Sequence, residues 1–372
     1  MNAKLVEGIA NAVLYEGYML YPYRPSALKN RQRWNFGVLY PRPWAEIQKG
    51  ADSWRMQTEC LAYGSNAAVV EIRVRFLQAI SRQIGKPLPG KASDTSPQNA
   101  EPKFEFVESL QVGDKALCSW QEAMERDVVI PTTRLADLPA GPLKQNFNFT
   151  ATREIEPIKD ETGSVAAFIV RTRENISGSV ELRAEERASG LVQLTVVISN
   201  LTPLADAPLA PREDVLLKSL LSAHTVLGLR DGEFVSLIDP PETLRRIASE
   251  CKNEGTWPVL IGEEGSKNAM LSSPIILYDY PQIAPESPGN LFDGAEIDEI
   301  LALRILTLSD DEKCEIQQTD DRTREVLQRT ESLPEDQLLK LHGVLRGMRP
   351  LAGIGHSPAD HATDDPVGED QR

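Results

Sequence analysis

The chain has 372 residues, 41% of them hydrophobic, and 40 Lys and Arg against 55 Asp and Glu leave a net charge of −15. That length suits one large domain or two ordinary ones with a real core, and four cysteines exclude a disulfide scaffold. No apolar run approaches the roughly 18 residues of a membrane span, and so acidic a balance argues against nucleic acid, whose binding leans on phosphate neutralisation.

The N-terminus lacks a basic stretch followed by a continuous apolar block and a small-residue cleavage site. No secretory leader is expected, and the cytoplasm is the expected location. Residues 3–14 are weakly helical. Tyr15 to Tyr23 is aromatic and extended, and Trp34 to Tyr40 reads as a strand stopped by Pro41 and Pro43. Residues 54–63 and 68–80 predict two strands joined by a turn at Gly64-Ser65-Asn66. In the second, Val70, Ile72, Val74 and Phe76 alternate with Glu71, Arg73 and Arg75, the pattern of a half-buried strand. Residues 84–102 are polar and rich in Pro, Gly and Ser, which predicts an exposed, mobile loop.

Trp120 to Ile130 predicts a short helix running into a strand that ends before Pro131. From 145 to 200, alternating segments separated by turn signals predict an antiparallel meander of about four strands. A Pro-rich joint follows from Pro203 to Pro211. Beyond it, the spacing of apolar residues predicts a helix from Arg212 to Gly228, a strand from Phe234 to Ile238, and helices at 241–252, 295–307, 310–329 and 334–347. The expected class is therefore α+β. A β-rich domain over 1–203, a sandwich or curled sheet, would precede a helix-rich domain over 204–349, and the Gly-, Pro- and Asp-rich 350–372 would be a disordered tail.

Chemistry is thinly signalled. No glycine-rich phosphate loop, Gly-x-Ser-x-Gly or His-Glu-x-x-His occurs. Cys60, Cys118, Cys251 and Cys314 are too dispersed for a zinc or iron–sulfur motif. Neither a cofactor nor a metal is expected. Asp239-Pro240-Pro241-Glu242 and Ser309-Asp310-Asp311-Glu312 have the spacing of helix starts, where the acids would cap rather than catalyse. His224 would lie on the apolar face of the 212–228 helix as a hydrogen-bonded core residue, and Cys60 would be a small buried hydrophobe.

Two segments are candidates for contact. Residues 1–60 hold eight Lys or Arg and five Asp or Glu, a net of +3 in an acidic chain. Within them Arg24, Lys29, Arg31 and Arg33 interleave with Tyr21, Tyr23 and Trp34, which could hold an anion or an acidic partner face. The second segment follows Ile275 to Tyr278. Pro281, Pro285 and Pro288 make it stiff, and Tyr278, Asp279, Tyr280, Glu286 and Phe292 form a candidate docking loop or a long crossing over the domain joint.

Three stretches taken together resemble a known family. They are Leu14 to Arg31 (Leu-Tyr-Glu-Gly-Tyr-Met-Leu-Tyr-Pro-Tyr-Arg-Pro-Ser-Ala-Leu-Lys-Asn-Arg) with Trp34-Asn35-Phe36-Gly37; Phe234-Val235-Ser236-Leu237-Ile238-Asp239-Pro240-Pro241; and Ser272 to Asp279 through Ile297-Asp298-Glu299-Ile300-Leu301. They are similar to an uncharacterised family encoded beside actinobacterial-type, oxygen-tolerant nickel–iron hydrogenases. The resemblance spans about residues 10–347. It implies a bacterial cytoplasm and a role in making or supporting a hydrogenase, with hydrogenase subunits or maturation factors as partners, and it carries no catalytic residues. The leading expectation is a non-enzymatic accessory or assembly protein. The alternative is an enzyme or binding protein for a small anionic ligand, using the 21–34 segment with Glu16, Glu59 or Asp279 as acid or base.

Overall fold

Residues 3–15, 37–48, 50, 52–88, 102–113, 115–138, 142–282 and 313, 327, 328, 331 and 332 are described by the computed structural model. The fold is organised by one strand, β1 (Arg55–Pro87), of 33 residues. At roughly 3.3 Å per residue it could span on the order of 100 Å if straight. Instead it shifts register at Gly64/Val69 and again at Arg75/Leu77, and it bends there. Different partners serve different lengths of it. One edge carries β10 (Leu191–Asn200) over Arg55–Tyr63, then β5 (Trp120–Arg134) over Val69–Arg82, then β2 (Phe104–Val107) over Ile84–Pro87. The other carries β11 (Leu221–Val235) over Leu61–Leu77 and β8 (Val165–Arg173) over Ser81–Gly85.

The outer strands extend these branches. β9 (Ile176–Ala188) pairs β10, and β6 (Leu143–Phe149) pairs β9. β7 (Thr152–Lys159) pairs β8, β13 (Ala269–Ser273) pairs β11, and β12 (Trp257–Leu260) pairs β13. All these pairings are antiparallel, in one curled 11-stranded sheet. A small hairpin, β3 (Ser109–Val112) with β4 (Lys115–Cys118), stands apart.

The core lies inside the curl. Even-numbered residues of β1, from Met56 and Cys60 through Val70, Ile72, Val74 and Phe76, meet Ile176, Val180 and Leu182 of β9, Leu194, Val196 and Ile198 of β10, and Leu227 and Leu229 of β11. A helix, α1 (Ala3–Tyr15), covers the opposite face. Its Val6, Ile9, Ala10 and Val13 recur at helical spacing and pack on Val226, Val259, Ile261, Ala269 and Leu271. Short helices α2 (Arg42–Ala45), α3 (Arg212–Leu216) and α4 (Arg245–Ser249) fill the periphery.

The expected α+β class with a helix-rich C-terminal part is overturned. Among the described residues 55% are in strands and 14% are helical. Of the expected helix over 212–228, only α3 forms, a short turn follows, and from Leu221 onward the chain is β11. Every residue of β11 from Leu221 to Leu229 is buried. A strand buried on both faces reads as an unbroken apolar run, which periodicity cannot separate from a helix. Gly64-Ser65-Asn66 is no turn between two strands. β1 continues through it, and the Gly64 N–H is fixed to the Gly190 carbonyl at 3.2 Å.

Trp120 to Ile130 contains no helix either. Its acidic residues are matched across the sheet: Glu122 of β5 binds Arg82 of β1 (3.4 Å) and Arg171 of β8 (2.9 Å), and Arg171 binds Glu156 of β7 (2.7 Å). The meander is reorganised, since β6 pairs β9 around a separate β7–β8 hairpin. Residues 84–87 belong to β1, and 89–101 lie outside the described residues, as do nearly all of the helices expected after 295 and the tail at 350–372.

Candidate functional site

Residues 275–282 leave β13 and cross the end of the sheet edge formed by β12. In β12 the Ile261 side of the backbone faces β13, since the Ile261 N–H meets the Ala269 carbonyl at 3.1 Å. By alternation, residues 258 and 260 face outward. Pro258 has no N–H to offer there. Leu260 is taken: its N–H donates to Asp279 Oδ1 at 2.8 Å, and its carbonyl accepts from the Tyr280 N–H at 2.7 Å. The edge is thus closed to a further strand.

Asp279 is the pin. Its other oxygen accepts from Ser236 Oγ, and Ser236 Oγ in turn accepts from the Ile238 and Asp239 N–H groups at 3.2 and 2.9 Å. Tyr280 sits at φ +55°, a conformation costly for a bulky residue, and its side chain packs against the main core. Ile275 and Leu277 pack partly under α1. What remains on the outside is apolar. Ile276 is 74% exposed and Tyr278 84%, and Ile238, on the turn tied to Asp279 through Ser236, is 50% exposed. A pinned backbone therefore presents three large apolar side chains to solvent. Asp279→Ala is expected to cost about 1–3 kcal/mol, because it strands the Leu260 N–H and the Ser236 hydroxyl. It should also speed amide exchange at Leu260 and Tyr280, and unchanged exchange at both would show that Asp279 does not hold the loop.

Of the residues singled out from sequence, Tyr278 is an exposed contact group, whereas Asp279 and Tyr280 face inward and hold the loop. Glu286 and Phe292 lie outside the described residues. So do Tyr21, Tyr23, Arg24, Lys29, Arg31, Arg33 and Trp34, together with Glu16. Glu59 is engaged by Gln57, by Gln193 and by the Lys252 N–H (3.1, 2.9 and 2.8 Å), which joins β1 to β10 and to the chain after α4. Cys60 is wholly buried, and burial pushes its thiol far above the ordinary value. Among the described residues no group of three or more His, Cys, Asp or Glu is placed to hold a metal, and no helix is long and apolar enough to cross a membrane.

Sequence reasoning missed two polar clusters. Beneath α1, Arg75 is 2% exposed and binds Glu7 (3.2 Å) and Asn11 (2.8 Å) of the helix together with Glu125 (2.9 Å) and Asp127 (3.1 Å) of β5. Arg73 also binds Glu7. Burial raises the Glu7 carboxyl, but the Arg73 hydrogen bond and the Arg75 and Arg73 charges hold it below the usual range. His224 faces Arg75 across the β1–β11 ladder. At the second cluster Arg212 lies over Tyr40 (4.8 Å) and Trp44 (5.6 Å) and grips both oxygens of Asp52 (2.8 and 3.0 Å). The Tyr40 phenol is pushed up to about 12, chiefly by burial. Arg73 and Arg75 were visible as the polar side of an alternating strand, but nothing nearby in sequence announced a helix above them.

No family model matches the chain. No curated protein matches it either. Among solved structures, one similar chain is the Salmonella SPI-1 type III secretion injectisome secretin InvG (residues 176-end) in the open gate state, at 8% identity and a TM-score of 0.09. The match covers 59% of this chain and 56% of that one. A TM-score that low carries no argument about fold or function.

Proposed function

We propose that this chain is a non-enzymatic accessory protein that works through protein–protein contact, with the Ile276–Tyr280 loop and the Ile238 turn as its docking surface. The observation that supports it is the pairing of a pinned, strained backbone with outward apolar side chains. The chain holds Asp279 and Tyr280 in place, yet leaves Ile276 and Tyr278 uncovered among the described residues. A preformed loop loses little entropy on binding, and a tyrosine on a rigid support is a usual interface anchor. The resemblance of the sequence to a family encoded beside nickel–iron hydrogenases makes hydrogenase subunits and maturation factors the first partners to test.

The test is an affinity pull-down of the tagged protein from its native host under hydrogenase-inducing conditions, with bound proteins identified by mass spectrometry. The comparison is a variant carrying Ile276→Ser and Tyr278→Ala. Wild type is expected to recover hydrogenase subunits or maturation factors, and the variant to recover at least about 10-fold less, in line with loss of a hot-spot residue. Equal recovery by both would reject this surface. Recovery of no such protein by a well-folded wild type would reject the accessory role in this setting.

A further inference from the structure

On the concave face of the sheet, at the C-terminal half of β1, two guanidinium groups converge over one residue. Gln78 of β1 is wholly buried, and its Nε2 donates to the Glu174 carbonyl at 2.7 Å, which fixes the amide. Its Oε1 therefore faces the other way and accepts from Arg126 Nε of β5 at 2.8 Å. From the opposite edge, Arg173 of β8 reaches across β1 until its Nη1 lies 3.6 Å from Met124 Sδ, and Met124 is the β5 residue directly paired with Gln78.

The two arginines differ in how they are compensated. Arg173 binds Glu154. Arg126 donates once, to a neutral amide, and among the described residues no carboxylate lies within ion-pair distance of it. Its remaining N–H groups are free of protein acceptors among those residues. Burial, and then the like charge of Arg173, push the Arg126 pKa below its ordinary value. A half-buried cation with no counterion among the described residues and a second cation beside it is an expensive arrangement for a fold to keep.

The walls are apolar. The Arg126 guanidinium lies 4.5 Å over the Phe149 ring, and Phe147 and Phe149 stand 5.9 Å apart above the buried Phe76. Arg126, Arg173, Met124, Phe147 and Phe149 are all half-buried, so the face is open to solvent.

We infer that Arg126 and Arg173 form a binding site for a small organic anion: a carboxylate or similar oxyanion head on an apolar body. The head takes the free N–H groups of Arg126, with Arg173 on its far side. The body lies along Phe147, Phe149 and Met124. The site is far in sequence from the Ile276–Tyr280 loop, and it does not depend on what that loop binds.

The experiment is calorimetric titration of the full-length protein with 2-naphthoate, with octanoate, and with inorganic phosphate as a head group lacking a body. Wild type is expected to bind one equivalent of at least one of the two carboxylates. Arg126→Gln, which can still hydrogen-bond to Gln78, should weaken that binding at least about 10-fold with no fall in the thermal midpoint. Phosphate should compete but bind more weakly, since it gains nothing from the rings. If Arg126→Gln does not fold, Arg173→Gln reads the same site, and the same loss is expected. Phe149→Leu then sorts the body, weakening naphthoate more than octanoate for an aryl ligand and both equally for an acyl one. No saturable binding of either carboxylate to wild type, unaltered binding by the arginine variants, or phosphate binding as tight as the carboxylates would overturn the assignment.

Discussion

Alanine in place of Phe76 is expected to lower the unfolding free energy by about 3–5 kcal/mol. The ring is wholly buried and meets Phe147 and Phe149 at 5.9 Å each, edge-on to the second. Those two rings belong to β6, the last strand of the branch that runs from β1 through β10 and β9. Phe76 is thus where the end of the branch is folded back on the spine it started from. The neighbouring backbone is shaped for the same seam. A Cβ on Gly178 of β9 would lie 2.4 Å from Phe147 Cζ and 2.4 Å from the Ser199 carbonyl oxygen. The ring could yield, but the carbonyl is fixed in the β9–β10 ladder, so β9 carries no side chain where the Phe147 ring crosses it. Truncating Phe76 leaves a void beneath two half-buried rings, and inward collapse of β6 would move the cost toward the lower figure. In denaturant titration the midpoint should fall while the slope stays constant. A cost below about 1 kcal/mol would mean that these rings do not close the curl.

How much of this could be read in advance depended on how far each residue's partner lay along the chain. The alternation Val70, Ile72, Val74, Phe76 identified a strand and its buried face, because period-two burial is a local signal. The opposite face was misjudged. Glu71, Arg73 and Arg75 looked like a solvent side, yet α1, some sixty residues earlier, covers Arg73 and Arg75 and supplies Glu7 and Asn11 to them. The same limit explains Trp120 to Ile130. Glu122 and Arg126 stand on the core-facing side of β5, where charges are unexpected. Glu122 is tolerated because Arg82 and Arg171 arrive from other strands, while Arg126 meets only the neutral amide of Gln78. The prolines after Ile275 drew attention to the segment, although Pro285 and Pro288 lie outside the described residues and what holds the described part is Asp279. That Asp279 would anchor it was not legible, since Ser236 and Leu260 are 43 and 19 positions away. β11 failed for another reason: its burial on both faces removes the alternation that would have revealed it.

Acidification from pH 7 to pH 4 is expected to remove about 3 kcal/mol of stability through one residue, His224. The imidazole is completely buried on β11, beneath α1. Its Nδ1 lies 3.0 Å from the Ser222 carbonyl, an acceptor only, so Nδ1 carries the proton and Nε2 is the bare nitrogen. Among the described residues Nε2 has no hydrogen-bond partner. A second proton would therefore create a buried N–H without an acceptor among the described residues, facing Arg75 and Arg73 from β1, and the Ser222 carbonyl bond and Glu7 of α1 offset this only in part. Burial is the largest cause, and together these effects bring the pKa from 6.5 down to about 4.

The direction follows from proton uptake. Between pH 6.5 and about 4 the unfolded chain binds a proton that the folded chain refuses, so stability is constant for this group above about pH 7 and falls as the pH drops through that window. Glu7, held below its ordinary value, adds a further loss only at the acid end. His224→Gln cannot titrate, and its stability should stay nearly level from pH 7 to pH 5, whatever its absolute value. Because Glu7 and Asn11 bind Arg75 from α1, the first amides to lose protection should be those of residues 6–13. A His224 proton resonance that titrates near 6.5 in the folded protein, or an equal acid slope in His224→Gln, would show that the imidazole is not buried against the two arginines as described.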